Sequence, residues 1–224
     1  MLTIIVPSYN EARNVGHVIA NIAAVFAALP EMRVIVVDDG STDDTQQVLA
    51  PLLQAHRWLA VVKHPQNMGL GSALRTGYGR CDGGVAAWLP ADGQFDAQCV
   101  LHFYRTWQRT QAPIVIGNVT SSARVASDGP FRLVLSKLWR AVFFLRKKRS
   151  INFNGLMLFE VAQVPITSFR STTGAINFEI LEHFENGNAR IEYQEITVGP
   201  RLSGSSKVTN LRTYVAVLRD TLLR

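Results

Sequence analysis

The chain has 224 residues, 47% of them hydrophobic and 18% charged, enough apolar material for one sizeable core, or at most a core plus a small appendage, so one domain is expected. Its formal charge of +6 favours an anionic partner, whether a phosphorylated ligand, a nucleic acid or an acidic lipid surface. Two cysteines, Cys81 and Cys99, exclude a disulfide framework and a spaced cysteine metal cluster, and read as buried thiols of a reducing, cytosolic compartment.

The chain opens on MLTIIVPSYNE, a strand-like run with no basic leader, so a signal peptide is not expected. No apolar stretch approaches the ~18 residues needed to cross a bilayer. Runs rich in β-branched residues recur at Leu2–Val6, Arg33–Val37, Leu59–Val62, Val85–Leu89 and Ile114–Ile116 and predict strands. Between them, Val15–Leu29, Thr42–Gln54 and Ala97–Arg109 have helical length, with Asp43 and Asp44 suited to a first helical turn, where carboxylates complement the helix dipole. Continuous apolar strands alternating with helices predict an α/β fold with a mostly parallel sheet covered on both faces. Beyond about Ser121 the alternation weakens. There the chain offers a basic aromatic stretch (FRLVLSKLWRAVFFLRKKR), an apolar strand candidate (INFNGLMLFE) and a short terminal helix candidate from Leu211.

Open parallel sheets bind ligands at the carboxyl ends of their strands. Polar segments stand at four of these ends: PSYNE from Pro7 to Glu11, DDGS from Asp38 to Ser41, HPQNMGLGSA from His64 to Ala73, and PADGQ from Pro90 to Gln94. Any one of them reads equally as a turn; four in register make a site. A dinucleotide fingerprint at Gly69 and Gly71 is excluded, because its third glycine would fall on Leu74. No GxxxxGK[ST] phosphate loop is present.

These motifs, with FEIL and RLSGSSK near the end, resemble the family 2 glycosyltransferases of the GT-A fold, and within them the polyprenyl (dolichyl) phosphate glycosyltransferases. The resemblance spans nearly the whole chain and is most specific in its first half. It implies a single domain over residues 1–224, with a nucleotide-sugar-binding half (1–120) and an acceptor- and membrane-facing half (121–224). It places Pro7, Tyr9 and Glu11 against the donor nucleoside, and Asp38 and Asp39 where base and ribose are read, a task suited to hydrogen-bond acceptors. Asn67, Gly69 and Gly71 form the loop on which the nucleotide lies, and Ala91 belongs to the same pocket. Asp92 and the Gln94 carbonyl would hold Mg²⁺ or Mn²⁺ together with the donor diphosphate. Pro90 stands where the family usually has another aspartate, so metal is expected to bind weakly without nucleotide.

Arg132 and Ser136 carry the Arg-x-x-x-Ser spacing of the lipid-phosphate branch, and Arg201, Gly204, Ser206 and Lys207 match its late signature. The resemblance gives Asp92, Arg132, Arg201 and Lys207 the catalytic roles, the three cations by neutralising phosphate. Glu179 matches a recurrent carboxylate. Asn152 and Asn154 replace the aspartate and the serine or cysteine that many relatives carry. The Phe131–Arg149 stretch suits either a helix lying at an anionic membrane surface or a core helix ending in cations.

The implied reaction moves a sugar, with inversion, from a nucleotide diphosphate donor to a polyprenyl phosphate at the cytoplasmic membrane surface, the enzyme being peripherally bound. No nucleic acid is involved; a homo-oligomer or a membrane partner protein is possible. Two alternatives stand beside this: transfer to a saccharide hydroxyl, and a non-catalytic donor-binding regulatory subunit.

Overall fold

The computed structural model describes residues 1–29, 31–119 and 153–203. In chain order the elements are β1 (Leu2–Ser8), α1 (Val15–Val25), β2 (Met32–Asp38), α2 (Thr45–Ala55), β3 (Leu59–Lys63), α3 (Leu70–Tyr78), β4 (Val85–Trp88), α4 (Gln98–Thr110), β5 (Ile114–Val119), β6 (Phe153–Glu160), α5 (Ile176–Asn186) and β7 (Ile191–Ile196). They form the α/β, GT-A type of architecture. Seven strands make one sheet in the order β3-β2-β1-β4-β6-β5-β7. β1 to β4 are parallel, β6 runs antiparallel to both its neighbours, and β5 and β7 are again parallel to each other.

The middle strands read as unbroken apolar runs because both faces are covered. Ile4 to Val6, Val34 to Val37 and Val85 to Ala87 are all fully buried, as expected for a sheet between two helical layers. α1 packs Val15, Val18, Ile19 and Ile22 inward. The two strands Val115 and Leu158 belong to, β5 and β6, continue the core.

The boundaries expected from periodicity shift at the edges. Val15–Leu29 is helical only to Val25, and the second helix begins at Thr45 rather than Thr42. Asp43 and Asp44 therefore precede the first turn instead of occupying it: Asp43 accepts the Thr45 N–H at 3.1 Å, satisfying one of the donors that the start of a helix leaves without an intrahelical partner. α3, α5 and β7 add to the elements legible from sequence.

Between β1 and β4 the strand order changes direction, since β2 and β3 lie on one side of β1 and the later strands on the other. The two strands pair only from Leu2 to Ile5 on β1, with a last bond from the Leu89 N–H to the Ile5 carbonyl at 2.8 Å. Beyond it β1 continues against β2 alone, to Ser8 opposite Asp38. In a parallel ladder alternate residues address the same neighbour, so Pro7, two residues after Ile5, turns its nitrogen toward β4, and that nitrogen has no hydrogen to donate. The two strands part there, at the position where open α/β sheets hold ligands.

Candidate functional site

The polar segments that follow β1, β2, β3 and β4 meet at this edge. After β1, Glu11 begins the turn into α1: its carbonyl accepts from Asn14 and Val15 N–H at 2.9 Å each, and its own N–H donates to Thr45 Oγ1 at 3.0 Å. Its carboxylate accepts from Asn14 Nδ2 at 2.6 Å. Asn10, in the left-handed region at φ 52°, accepts the Thr42 N–H on its side chain at 2.7 Å, tying this loop to the one after β2.

After β4, Asp92 is buried and caps its own turn by accepting the Gln94 N–H at 3.1 Å. Arg201 stands over it, Nη2 2.8 Å from Asp92 Oδ2, with Nη1 3.8 Å from Glu11 Oε1. Burial raises the Asp92 carboxyl above the usual carboxylate range; the Gln94 N–H and Arg201 oppose the shift, and Glu11 adds to it. The segment carrying Arg201 lies along the turn, with Gly199 N–H donating to the Gln94 carbonyl at 2.8 Å and Leu202 N–H to the Asp92 carbonyl at 3.3 Å. Ser203 closes it, its Oγ donating to Asn14 Oδ1 at 2.7 Å. Two carboxylates from two strand ends and one guanidinium from the far end of the described chain thus form one cluster.

Asp38 and Asp39 end β2. Asp38 accepts from the Ser41 N–H at 2.9 Å and from the Gln46 side-chain amide. Asp39 accepts from the backbone N–H of Met68 at 2.9 Å and of Gly69 at 2.8 Å. Gly69 sits at φ +91°, and a Cβ there would lie 2.3 Å from the Thr172 carbonyl oxygen. Gly71, on α3, donates its N–H to that same oxygen at 2.9 Å, and a Cβ on it would stand 2.4 Å from the Ser171 carbonyl. Glycine is required at both positions by close backbone approach, at Gly69 also by the positive φ. Asn67 is exposed on the same loop, Tyr9 and Pro7 are half-buried on the β1 side, and Ala91 is buried next to Asp92.

Of the residues singled out in the sequence, Glu11, Asp92 and Arg201 are in one cluster, and Asp39 and Gly69 in another. Gln94 contributes backbone atoms to the Asp92 turn, its carbonyl already bonded to Gly199. Arg132, Ser136, Lys207, Gly204, Ser206, Asn152, the Phe131–Arg149 stretch and the terminal helix lie outside the described residues. Asn154 is on β6. Glu179, in the first turn of α5, accepts the Arg170 N–H at 3.2 Å. Asn14, Ser203 and His64 were not singled out from sequence; the signal available was a polar residue at a position that the strand and helix pattern buries.

Among the described residues no group of three His, Cys, Asp or Glu side chains is placed to hold a metal ion, and no helix is long and apolar enough to cross a membrane. Asp92 and the Gln94 carbonyl are oxygen donors of the kind a hard cation takes together with phosphate; here Asp92 Oδ2 is engaged by Arg201 and the Gln94 carbonyl by the Gly199 N–H.

The glycosyl transferase family 2 model matches residues 3–163, and the chain belongs to that family. It is similar to the dodecaprenyl-phosphate galacturonate synthase of Rhizobium johnstonii, 27% identical over 124 residues, 52% of this chain and 35% of that protein. It is also similar to the dolichyl-phosphate beta-glucosyltransferase of Saccharomyces cerevisiae, 29% identical over 102 residues, 41% of this chain and 30% of that protein. The matched region spans about a third of the length of the curated relatives. Among solved structures, glucosyl-3-phosphoglycerate synthase from Mycobacterium tuberculosis, in complex with Mn²⁺, UDP-glucose and phosphoglyceric acid, superposes with a TM-score of 0.75 at 17% identity, covering 100% of this chain and 79% of that one.

Proposed function

We propose that the protein transfers a sugar from a nucleotide diphosphate donor to a phosphate-bearing polyprenyl lipid. The observation that carries this reading is the cluster of Glu11, Asp92 and Arg201 beyond the ends of β1 and β4, with a glycine loop anchored by Asp39 at the end of the neighbouring strand β2. The prenyl-phosphate sugar transferases among the relatives and the UDP-glucose complex among the structural neighbours support donor and acceptor classes.

The chemistry asks little of a general base. A phosphomonoester has a second pKa near ~6, so its attacking oxygen is largely ionised at neutral pH. That oxygen forms a bond to the anomeric carbon as the bond from this carbon to the diphosphate breaks, with inversion and with no proton to remove. The protein must place two anions side by side and stabilise the departing nucleoside diphosphate. Arg201 is positioned for the second task, with Arg132 and Lys207 assigned alongside it from sequence. Asp92 would hold a divalent cation, Mg²⁺ or Mn²⁺, whose chemistry is to neutralise charge on the diphosphate. Glu11 and Asp92 hold Arg201 in place until an anion competes for it.

The reaction is placed at the cytoplasmic face of a membrane, with the enzyme peripherally bound, because the acceptor's chain is dissolved in lipid. Residues 121–224 are assigned the acceptor-facing role.

The test is incubation of purified protein with radiolabelled nucleotide sugars and polyprenyl phosphate in the presence of Mg²⁺ or Mn²⁺. Label in the organic phase that disappears with Asp92→Ala is the expected result. Label found only on an added saccharide acceptor overturns the lipid assignment, and failure of every nucleotide to bind overturns the transferase reading.

A further inference from the structure

His64 is fully inside the protein, 7% exposed, at a place where the function described above gives it no task. It follows β3 directly. Its backbone N–H donates to the Asp38 carbonyl at 2.8 Å, which fixes the residue against the end of β2. Its ring spans two elements: Nδ1 is 2.7 Å from Asp39 Oδ1, and Nε2 is 2.9 Å from Thr76 Oγ1 on α3. A carboxylate only accepts, so Nδ1 carries the proton in this pair; the Thr76 hydroxyl is free to donate to Nε2 or to accept from it.

Asp39 correspondingly accepts from three protein donors. His64 and the Met68 N–H share its Oδ1, and the Gly69 N–H takes Oδ2. With about four lone-pair positions on a carboxylate, three are engaged by the protein. The Asp39 side chain is also only 5% exposed. Its main work is therefore to hold two consecutive amides of the 67–71 loop, and the imidazole decides where the carboxylate sits. Through Thr76 the same ring is referenced to α3, whose first turn contains Gly71 packed on the carbonyls of Ser171 to Thr173.

We propose that His64 is a positioning residue for donor binding: it orients Asp39, and through Asp39 sets the backbone of the glycine loop on which the nucleotide rests. This rests on the donor-site reading of that loop. An imidazole suits the position because it is rigid, carries a donor at one end and a polar partner at the other, and spans the gap between β2 and α3 with a single ring.

The test uses the full chain, with two readouts. Amide hydrogen exchange at Met68 and Gly69 reports the clamp without any ligand, and titration with UDP and GDP reports donor binding. His64→Leu is expected to speed exchange at both amides and weaken nucleotide binding by roughly tenfold or more. His64→Asn, which keeps a donor near the Nδ1 position, is expected to recover most of both losses; His64→Gln, which reaches toward Thr76 instead, is not. Thr76→Val removes only the Nε2 partner and is expected to give a smaller effect of the same kind. Wild-type exchange rates at Met68 and Gly69 in His64→Leu overturn the proposal. If His64→Leu does not fold, equal protection in the Asn and Gln variants overturns it. Absence of nucleotide binding by the wild-type protein refutes the donor-site reading, while the exchange rates still decide whether the clamp exists.

Discussion

Arg201 and Asp92 lie 2.8 Å apart although they are separated by more than a hundred residues of sequence, and this contact fastens the segment after β7 to the end of β4. Replacing Arg201 with alanine leaves a buried carboxylate without its cation. The expected cost is about 1.5–3 kcal/mol, read as a drop in melting temperature, with a parallel loss of nucleotide affinity. Arg201→Lys keeps the charge but cannot reach Asp92 and Glu11 together, and is expected to fall between. An unchanged melting temperature and unchanged affinity in Arg201→Ala would show the pair to be idle.

Asp92 gives a pH dependence of definite sign. Its carboxyl is raised, chiefly by burial, against the opposing Gln94 N–H and Arg201. The fold therefore favours the protonated form, and that contribution is complete below the unfolded-state pKa and lost as pH rises through the raised value. Asp92→Asn does not titrate. In chelator, the variant is expected to gain stability relative to wild type as pH rises from the acid range to neutrality, while losing transfer activity. A variant whose relative stability falls over that range contradicts the desolvated carboxylate.

Two glycines separate close approach from ordinary helix propensity. Gly71→Ala places a methyl group against three backbone carbonyl groups, Ser171 to Thr173, and is expected to destabilise by about 1–3 kcal/mol and to displace the 67–71 loop. Gly16→Ala, inside α1 with its nearest neighbour at 3.5 Å, is expected to stabilise by about 0.4–1 kcal/mol. Denaturant melts of the two variants check both signs.

Burial pushes the Cys81 thiol up to about 11 and the Cys99 thiol up to about 12. Iodoacetamide at mildly alkaline pH is expected to label the native protein slowly, Cys81 before the more deeply buried Cys99, and both promptly in denaturant. Prompt labelling of Cys99 in the native state would place it at the surface.

The apolar runs announced β1, β2, β4 and β5 because these strands are buried on both faces; β3, at one sheet edge, is only half-buried past Leu59 but keeps the β-branched pair Val61 and Val62 that marks a strand. β7, with Glu192 and Glu195 interleaved among Ile191, Tyr193 and Ile196, stands at the sheet edge, where one flank is wet and the hydrophobic signal is diluted. α3 was hidden by its packing: a helix reading LGSALRTGY is weakened by glycine, and its glycines are there because the backbone of residues 171–173 comes too close to Gly71, and the Ile5 side chain too close to Gly77, for a Cβ. The strand-end motifs located Glu11 and Asp92. The late RLSGSSK motif singled out Arg201, but its direct contact with Asp92, like that of His64 with Asp39, joins residues distant in sequence, which no local pattern encodes.

Pro7 has the last consequence. Wherever two strands part inside a sheet, one of them normally leaves an amide hydrogen facing nothing, and a dry protein resists that. Here the residue at the parting has no such hydrogen, so β1 and β4 separate without leaving an orphaned donor, and nothing in the backbone at that point draws the two strands back together.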